Sequence, residues 1–231
     1  MANYLIIGAS GGIGQALCEQ LLQAGHHVWG TYNQHEMAAR EGLHPLHLNV
    51  MEEDATWLTQ LPEQIDGIAY CPGSIKLLPF GRIQTNDFKH DYELQVLGAI
   101  RILQALFPRL KKSNQASVVL FSTVAAQTGM PFHALVATHK AAIEGLTRSL
   151  AAEWAPSIRV NAIAPSLTDT PLASSLLNTD EKRHAAAQRH PLKRIGEPKD
   201  IAAMAAFLLQ EQSRFITGQI LAVDGGLSSL K

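Results

Sequence analysis

Cysteine is nearly absent from this 231-residue chain: Cys18 and Cys71 are the only two. Two thiols cannot build a disulfide scaffold, so the fold must rest on its apolar core, and reduced cysteines point to a cytoplasmic protein. Excess charge is missing as well, because 19 basic and 20 acidic residues leave a net charge of -1. That balance excludes the basic stripe of a nucleic-acid surface and the basic face of a membrane-bound helix. No apolar run approaches the roughly 18 residues that cross a bilayer. Met1-Ala2-Asn3-Tyr4 leads directly into a strand-like run with no charged n-region, so no signal peptide is expected. His44 and His47 flank Pro45-Leu46 at a spacing unsuited to one metal face, and no metal is expected. The expected partner is a small-molecule substrate, with no nucleic acid and no membrane.

What is present suits a globular α/β chain: 46% apolar and 17% charged residues, over a length that can bury one sizeable core. Residues 1–231 read as one domain. Short β-branched runs alternate with longer stretches of helical periodicity, which is the pattern of βαβ units. Strands are expected at about 4–7, 27–32, 45–49, 67–70, 117–121, 159–163 and 219–223. One helix opens near Gly12, and others cover about 87–110, 132–154 and 198–209. The expected fold is therefore a single-domain Rossmann fold, a doubly wound seven-stranded parallel sheet with helices on both faces. Between Asn33 and Pro45 there is room for a small helix at most. The polar, helix-prone stretch 170–190 contains Pro171 and is followed by Pro191. It reads as a substrate lid or, alternatively, as an ordinary pair of surface helices.

The first strand ends in Leu5-Ile6-Ile7-Gly8-Ala9-Ser10-Gly11-Gly12-Ile13-Gly14. Glycines at a strand-to-helix turn permit a tight bend, close backbone approach to a pyrophosphate and close helix–strand packing. The free amides of the helix start then face the anion. With Gly8, Gly12, Ile13 and Gly14 so spaced, the turn resembles the fingerprint of the short-chain dehydrogenase/reductase family. The resemblance runs nearly end to end. It continues through Asp66-Gly67-Ile68-Ala69-Tyr70-Cys71-Pro72-Gly73, where the family has Asn-Asn-Ala-Gly and only Gly73 is kept. It extends through Ile158-Arg159-Val160-Asn161-Ala162-Ile163-Ala164-Pro165 and Pro191-Leu192-Lys193-Arg194-Ile195-Gly196-Glu197-Pro198. It ends with Ile216-Thr217-Gly218-Gln219 and Val223-Asp224-Gly225-Gly226.

The resemblance implies a nicotinamide dinucleotide cofactor. An acid at the end of the second strand would bind a ribose 2′-hydroxyl and repel a 2′-phosphate. Here stand Thr31, Tyr32 and Asn33, so NADP(H) is expected over NAD(H), with Ser10, Thr31 and Asn33 as phosphate donors. Tyr32 reads alternatively as a packing aromatic. By the same resemblance Asn49 and Val50 lie at the adenine, Gly73 and Lys140 at the ribose, and Thr170 at the nicotinamide carboxamide. Ser166 replaces the glycine that usually follows Pro165. The two long central helices are expected to pair in a homodimer or homotetramer.

The family's chemistry uses a Tyr as proton donor, a Lys four residues later on the same helix face, a Ser and an Asn. Lys140 is kept, Thr123 stands for the Ser beside Ser122, and Gln95 stands for the Asn. Val136 occupies the Tyr position and cannot donate. Three readings follow. His133, about two helical turns before Lys140, supplies the proton, as the Tyr spacing of the enoyl reductases suggests, with Tyr70 as another candidate. Alternatively, water or substrate supplies it. In the third, the chain binds dinucleotide without turnover, as a sensor or scaffold. The segments Met130-Pro131-Phe132 and Leu77-Leu78-Pro79-Phe80 read as an apolar substrate pocket or as buried loop anchors.

Overall fold

A computed structural model describes residues 1–230. Seven parallel strands, β1 (Asn3–Ile7), β2 (His27–Tyr32), β3 (Leu43–His47), β4 (Gly67–Tyr70), β5 (Ala116–Phe121), β6 (Ile158–Pro165) and β7 (Ile220–Val223), form one sheet in the order β3-β2-β1-β4-β5-β6-β7. Six α-helices accompany them among the described residues: α1 (Gly12–Gln23), α2 (Thr85–Tyr92), α3 (Gly98–Leu110), α4 (Ala134–Trp154), α5 (Asp180–Arg189) and α6 (Pro198–Leu209). No helix is long and apolar enough to cross a membrane among these residues.

Successive strand residues point to opposite faces, and in the central strands both faces are covered, so β1, β4 and β5 are mostly apolar. Leu5, Ile7, Ile68, Val118 and Leu120 pack with Ile102 and Leu106 of α3 and Ile143 of α4. The alternate residues Ile6, Val28, Ala69, Val119 and Ile163 pack with Leu17 and Leu21 of α1 and with Ile201 and Ala205 of α6. The strand order reverses between β1 and β4, and both strands end there. Cys71 N donates to Ile7 O across the gap (3.0 Å), and Gly8 packs on Pro72. Ligands of open α/β sheets bind at such a switch point.

Two expected elements differ. The third strand starts earlier, at Leu43, because Val28 N reaches Gly42 O (2.8 Å); the connection from β2 carries no helix, in keeping with its short length. The long helix expected over 87–110 is instead broken by a π-helical turn, Glu93–Leu97, between α2 and α3. There Tyr70 Oη donates to Leu94 O (2.6 Å), and the absence of a side chain at Gly98 leaves room for the phenol. Turns of this kind are frequent at functional sites. Stretch 170–190 forms a short 3-10 turn (Pro171–Leu176) and α5, with a small apolar cluster of Ala173, Leu177 and Ala186. Two ties hold it to the sheet: Arg183 pairs with Asp169 (2.6 Å), and Ser166 Oγ donates to His190 Nε2 (2.9 Å).

Candidate active site

The glycine turn takes the shape its sequence predicts. Gly8 and Gly12 have φ of +76° and +53°, where a β-carbon is strained, and a β-carbon on Gly14 would overlap the Gly8 carbonyl. Among the described residues nothing lies within 4 Å of where Gly11 would carry one, so the loop's outer side is open. The turn also spells G-x-S-x-G across Gly8 and Gly12, the pattern of a nucleophile elbow. No histidine is bonded to Ser10, however; the imidazole of His190 serves Ser166 instead. Thr170 lies directly over the turn, its Cγ2 3.3 Å from a β-carbon built on Gly12. Thus β1, α1 and the segment after β6 meet where the sequence expects a dinucleotide.

Thr31 needs correction. It is buried, and its Oγ1 accepts from Gly8 N (3.0 Å), so it braces the turn from behind rather than facing a 2′-phosphate. Asn33 is exposed, and Ser10 and Ile13 are half-buried. Tyr32 is half-buried, its ring edge-on to His47. Arg40 is committed to Glu19. The Asn49 amide nitrogen donates to Glu52 (2.7 Å) and its oxygen accepts from Met51 N, while Val50 is buried and its carbonyl receives Arg101.

Two of the candidate catalytic residues, Gln95 and Lys140, meet at Gly73. A β-carbon there would sit 3.6 Å from Gln95 Oε1 and 3.7 Å from Lys140 Nζ, so three separate segments bound one small volume. This is a cradle that a side chain would fill, and it fits the edge of a ribose. Burial pulls the Lys140 ammonium down to about 8, with Asp91 and Cys71 pulling the other way. Thr123 caps the short turn after β5: its Oγ1 accepts from Ala125 N (3.3 Å) and donates to Pro165 O (3.4 Å). Ser122 beside it is spent on Glu144 (2.8 Å).

Of the two expected proton donors, Tyr70 fails. Its hydroxyl is buried and given to Leu94 O, and burial pushes its pKa well up. His133 lies just outside α4 at its N-cap, not on the helix, since its φ and ψ are -96° and 8°. Its Nδ1 donates to Pro131 O (2.7 Å), leaving Nε2 free, and the residue is half-buried. Val136 is buried. The apolar loops are not buried anchors: Phe80 and Phe132 are 74% and 57% exposed, and Leu78 N donates to Phe132 O, setting the two loops side by side.

Asp91, bonded to Gln95, His139 and Ser74, was not foreseen from the sequence, nor were His139 and Ser74. Their signal was a histidine at a core position of α4, spaced four from the buried Leu135 and Ile143. A separate groove of about 580 Å³ at the β7 edge, lined by Ser166, His190, Leu192 and Asp224, shares none of the residues around Gly73.

The family model described as enoyl-(acyl carrier protein) reductase matches residues 8–228. A tropinone reductase homolog of Arabidopsis thaliana is 30% identical over 243 residues, covering 98% of this chain and 92% of the relative. A 3-oxoacyl-[acyl-carrier-protein] reductase of Thermotoga maritima is 30% identical, covering 96% of each. Among solved structures, ElxO with NADP bound superposes with a TM-score of 0.91 at 25% identity, covering 99% of this chain and 100% of that one.

Proposed function

Because the chain belongs to the short-chain dehydrogenase/reductase family of oxidoreductases, we propose that it reduces a carbonyl or activated double bond of a small molecule, using NADP(H) in preference to NAD(H). The observation that carries this reading is the meeting of Gly73, Gln95 Oε1 and Lys140 Nζ. When bound, the cofactor supplies the hydride. Gly8, Gly12, Ile13 and Gly14 hold the pyrophosphate, Ser10 and Asn33 receive the 2′-phosphate, and Asn49, Val50 and Tyr32 border the adenosine. Lys140 and Gly73 hold the ribose, and Thr170 the carboxamide. Support for NADP(H) is the lack of any carboxylate at Tyr32-Asn33. A relative of similar fold was solved with NADP.

Thr123 steadies the substrate oxygen, and His133, with Nε2 free, is the proton donor. The exposed Phe80 and Phe132 make an apolar rim for the substrate, and segment 170–190 is its lid. The protein acts as a homodimer or homotetramer in the cytoplasm. One observation favours a second reading, binding without turnover: Val136 puts an apolar side chain where the family has its acid. The test is oxidation of NADPH with a panel of carbonyl and enoyl compounds, run on wild type and His133→Ala. Turnover that falls in the variant supports both the enzyme and its donor. Unchanged turnover keeps the enzyme and removes His133, whereas tight binding with no turnover across the panel favours the second reading.

A further inference from the structure

The reductase reading accounts for Lys140, Gln95 and Gly73 but leaves an ionisable pair behind them without a role. Asp91 and His139 are each 3% exposed, and His139 Nδ1 donates to Asp91 Oδ2 at 2.6 Å. The imidazole is flanked edge-on by Phe88 and Tyr92, each with ring centroids 5.7 Å away. A carboxylate enclosed between α2 and α4 is costly to desolvate, and an apolar pair would close that contact without the cost. A role beyond packing is therefore called for.

Asp91 accepts three donors: Ser74 Oγ at Oδ1, and both Gln95 Nε2 (2.7 Å) and His139 Nδ1 at Oδ2. Each donor comes from a different segment, and each segment carries one member of the site. Ser74 follows Gly73, Gln95 is itself a member, and His139 precedes Lys140. An ionised carboxylate can only accept, so the Gln95 amide must turn its nitrogen to Asp91 and its oxygen away. That oxygen is buried with no partner among the described residues, and it looks onto the volume at Gly73 where Lys140 Nζ lies.

We propose that Asp91 and His139 are positioning residues: a buried pair that locks the Gln95 amide with its oxygen toward Lys140 and supplies the negative charge that keeps the Lys140 ammonium at Gly73 in a site without tyrosine. The inference rests on the reading of Lys140 and Gln95 as site residues, but not on turnover. The ionisable groups acting on Lys140 are Asp91 from α2 and Cys71 from the end of β4. His139 is its neighbour on α4, facing α2.

The test follows the Lys140 side chain by NMR in the free protein, its resonance assigned by loss in Lys140→Met, and titrates it in wild type, Asp91→Asn and Gln95→Met. Removing the carboxylate charge, or the partnerless amide oxygen turned toward the volume where Lys140 Nζ lies, lowers the titration midpoint in each variant. Gln95→Met nearly conserves volume and carries the test if Asp91→Asn does not fold. A midpoint unchanged in the folded variants overturns the proposal, whatever the turnover. A lowered midpoint with no turnover in wild type leaves the pair standing and removes the reductase reading. Where wild type does turn over, kcat falls in Asp91→Asn and its pH profile moves with the lowered Lys140 midpoint. An Asp91→Asn enzyme with wild-type kcat and pH profile would again overturn the pair.

Discussion

Replacing Lys140 by Met should stabilise the fold while abolishing its function. Lys140 Nζ titrates at about 8 in the folded chain, against 10.5 for a free lysine, because burial disfavours its charge. Near pH 7 the folded chain therefore carries a penalised ammonium that the unfolded chain does not. At full value this depression corresponds to roughly 3 kcal/mol. The side chain is only half-buried and keeps part of its hydration, so about 1–2 kcal/mol is expected. The sign follows from proton counting. Between about pH 8 and 10.5 the unfolded chain holds a proton that the native chain has released, so wild-type stability gains as pH rises through that window. The advantage of Lys140→Met is thus largest at neutral pH and shrinks toward 10.5. Urea unfolding of both proteins at several pH values reads it directly, with NADPH titration showing the loss of binding. A variant no more stable than wild type at neutral pH, or one whose advantage does not shrink with pH, would refute the argument.

Three other outcomes are expected. Gly14→Ala places a β-carbon against the Gly8 carbonyl; it should cost about 1–3 kcal/mol in chemical denaturation and remove dinucleotide binding in the folded fraction. Tyr70→Phe deletes the bond to Leu94 O and leaves that carbonyl unpaired, costing about 1–2 kcal/mol, while the pH profile of turnover keeps its shape because the phenol is not the acid. Val136→Tyr restores a phenol four residues before Lys140, and turnover should rise, toward the roughly 10²–10⁴-fold that a positioned proton donor contributes; steady-state kinetics on the same substrate panel measures it.

The strands and the glycine turn were legible because their residues answer to local rules. Apolar runs with β-branched residues bounded by turns make β1, β4, β5 and β6, and the spacing of Gly8, Gly12 and Gly14 meets a steric need that the backbone displays. The meeting of Gly73, Gln95 and Lys140 was legible only through family resemblance, since these residues lie far apart in the chain. The π turn at Glu93–Leu97 was not legible, because it depends on a phenol from β4 reaching Leu94 O and on empty space at Gly98. Nor was the orientation of Thr31, whose hydroxyl could serve a phosphate or its own backbone; the close approach of β1 and β2 decided for Gly8 N. Asp91 and His139 were hidden for a different reason. Each looks like an ordinary helix residue until α2 and α4 are packed together.

Calorimetric titration of the purified protein with NADPH, and separately with NADH, tests the central claim most directly. The account predicts saturable binding of one dinucleotide per chain, tighter for NADPH. If neither dinucleotide binds the folded protein, the glycine turn and the Lys140 site are not a cofactor site, and the proposed function falls with them.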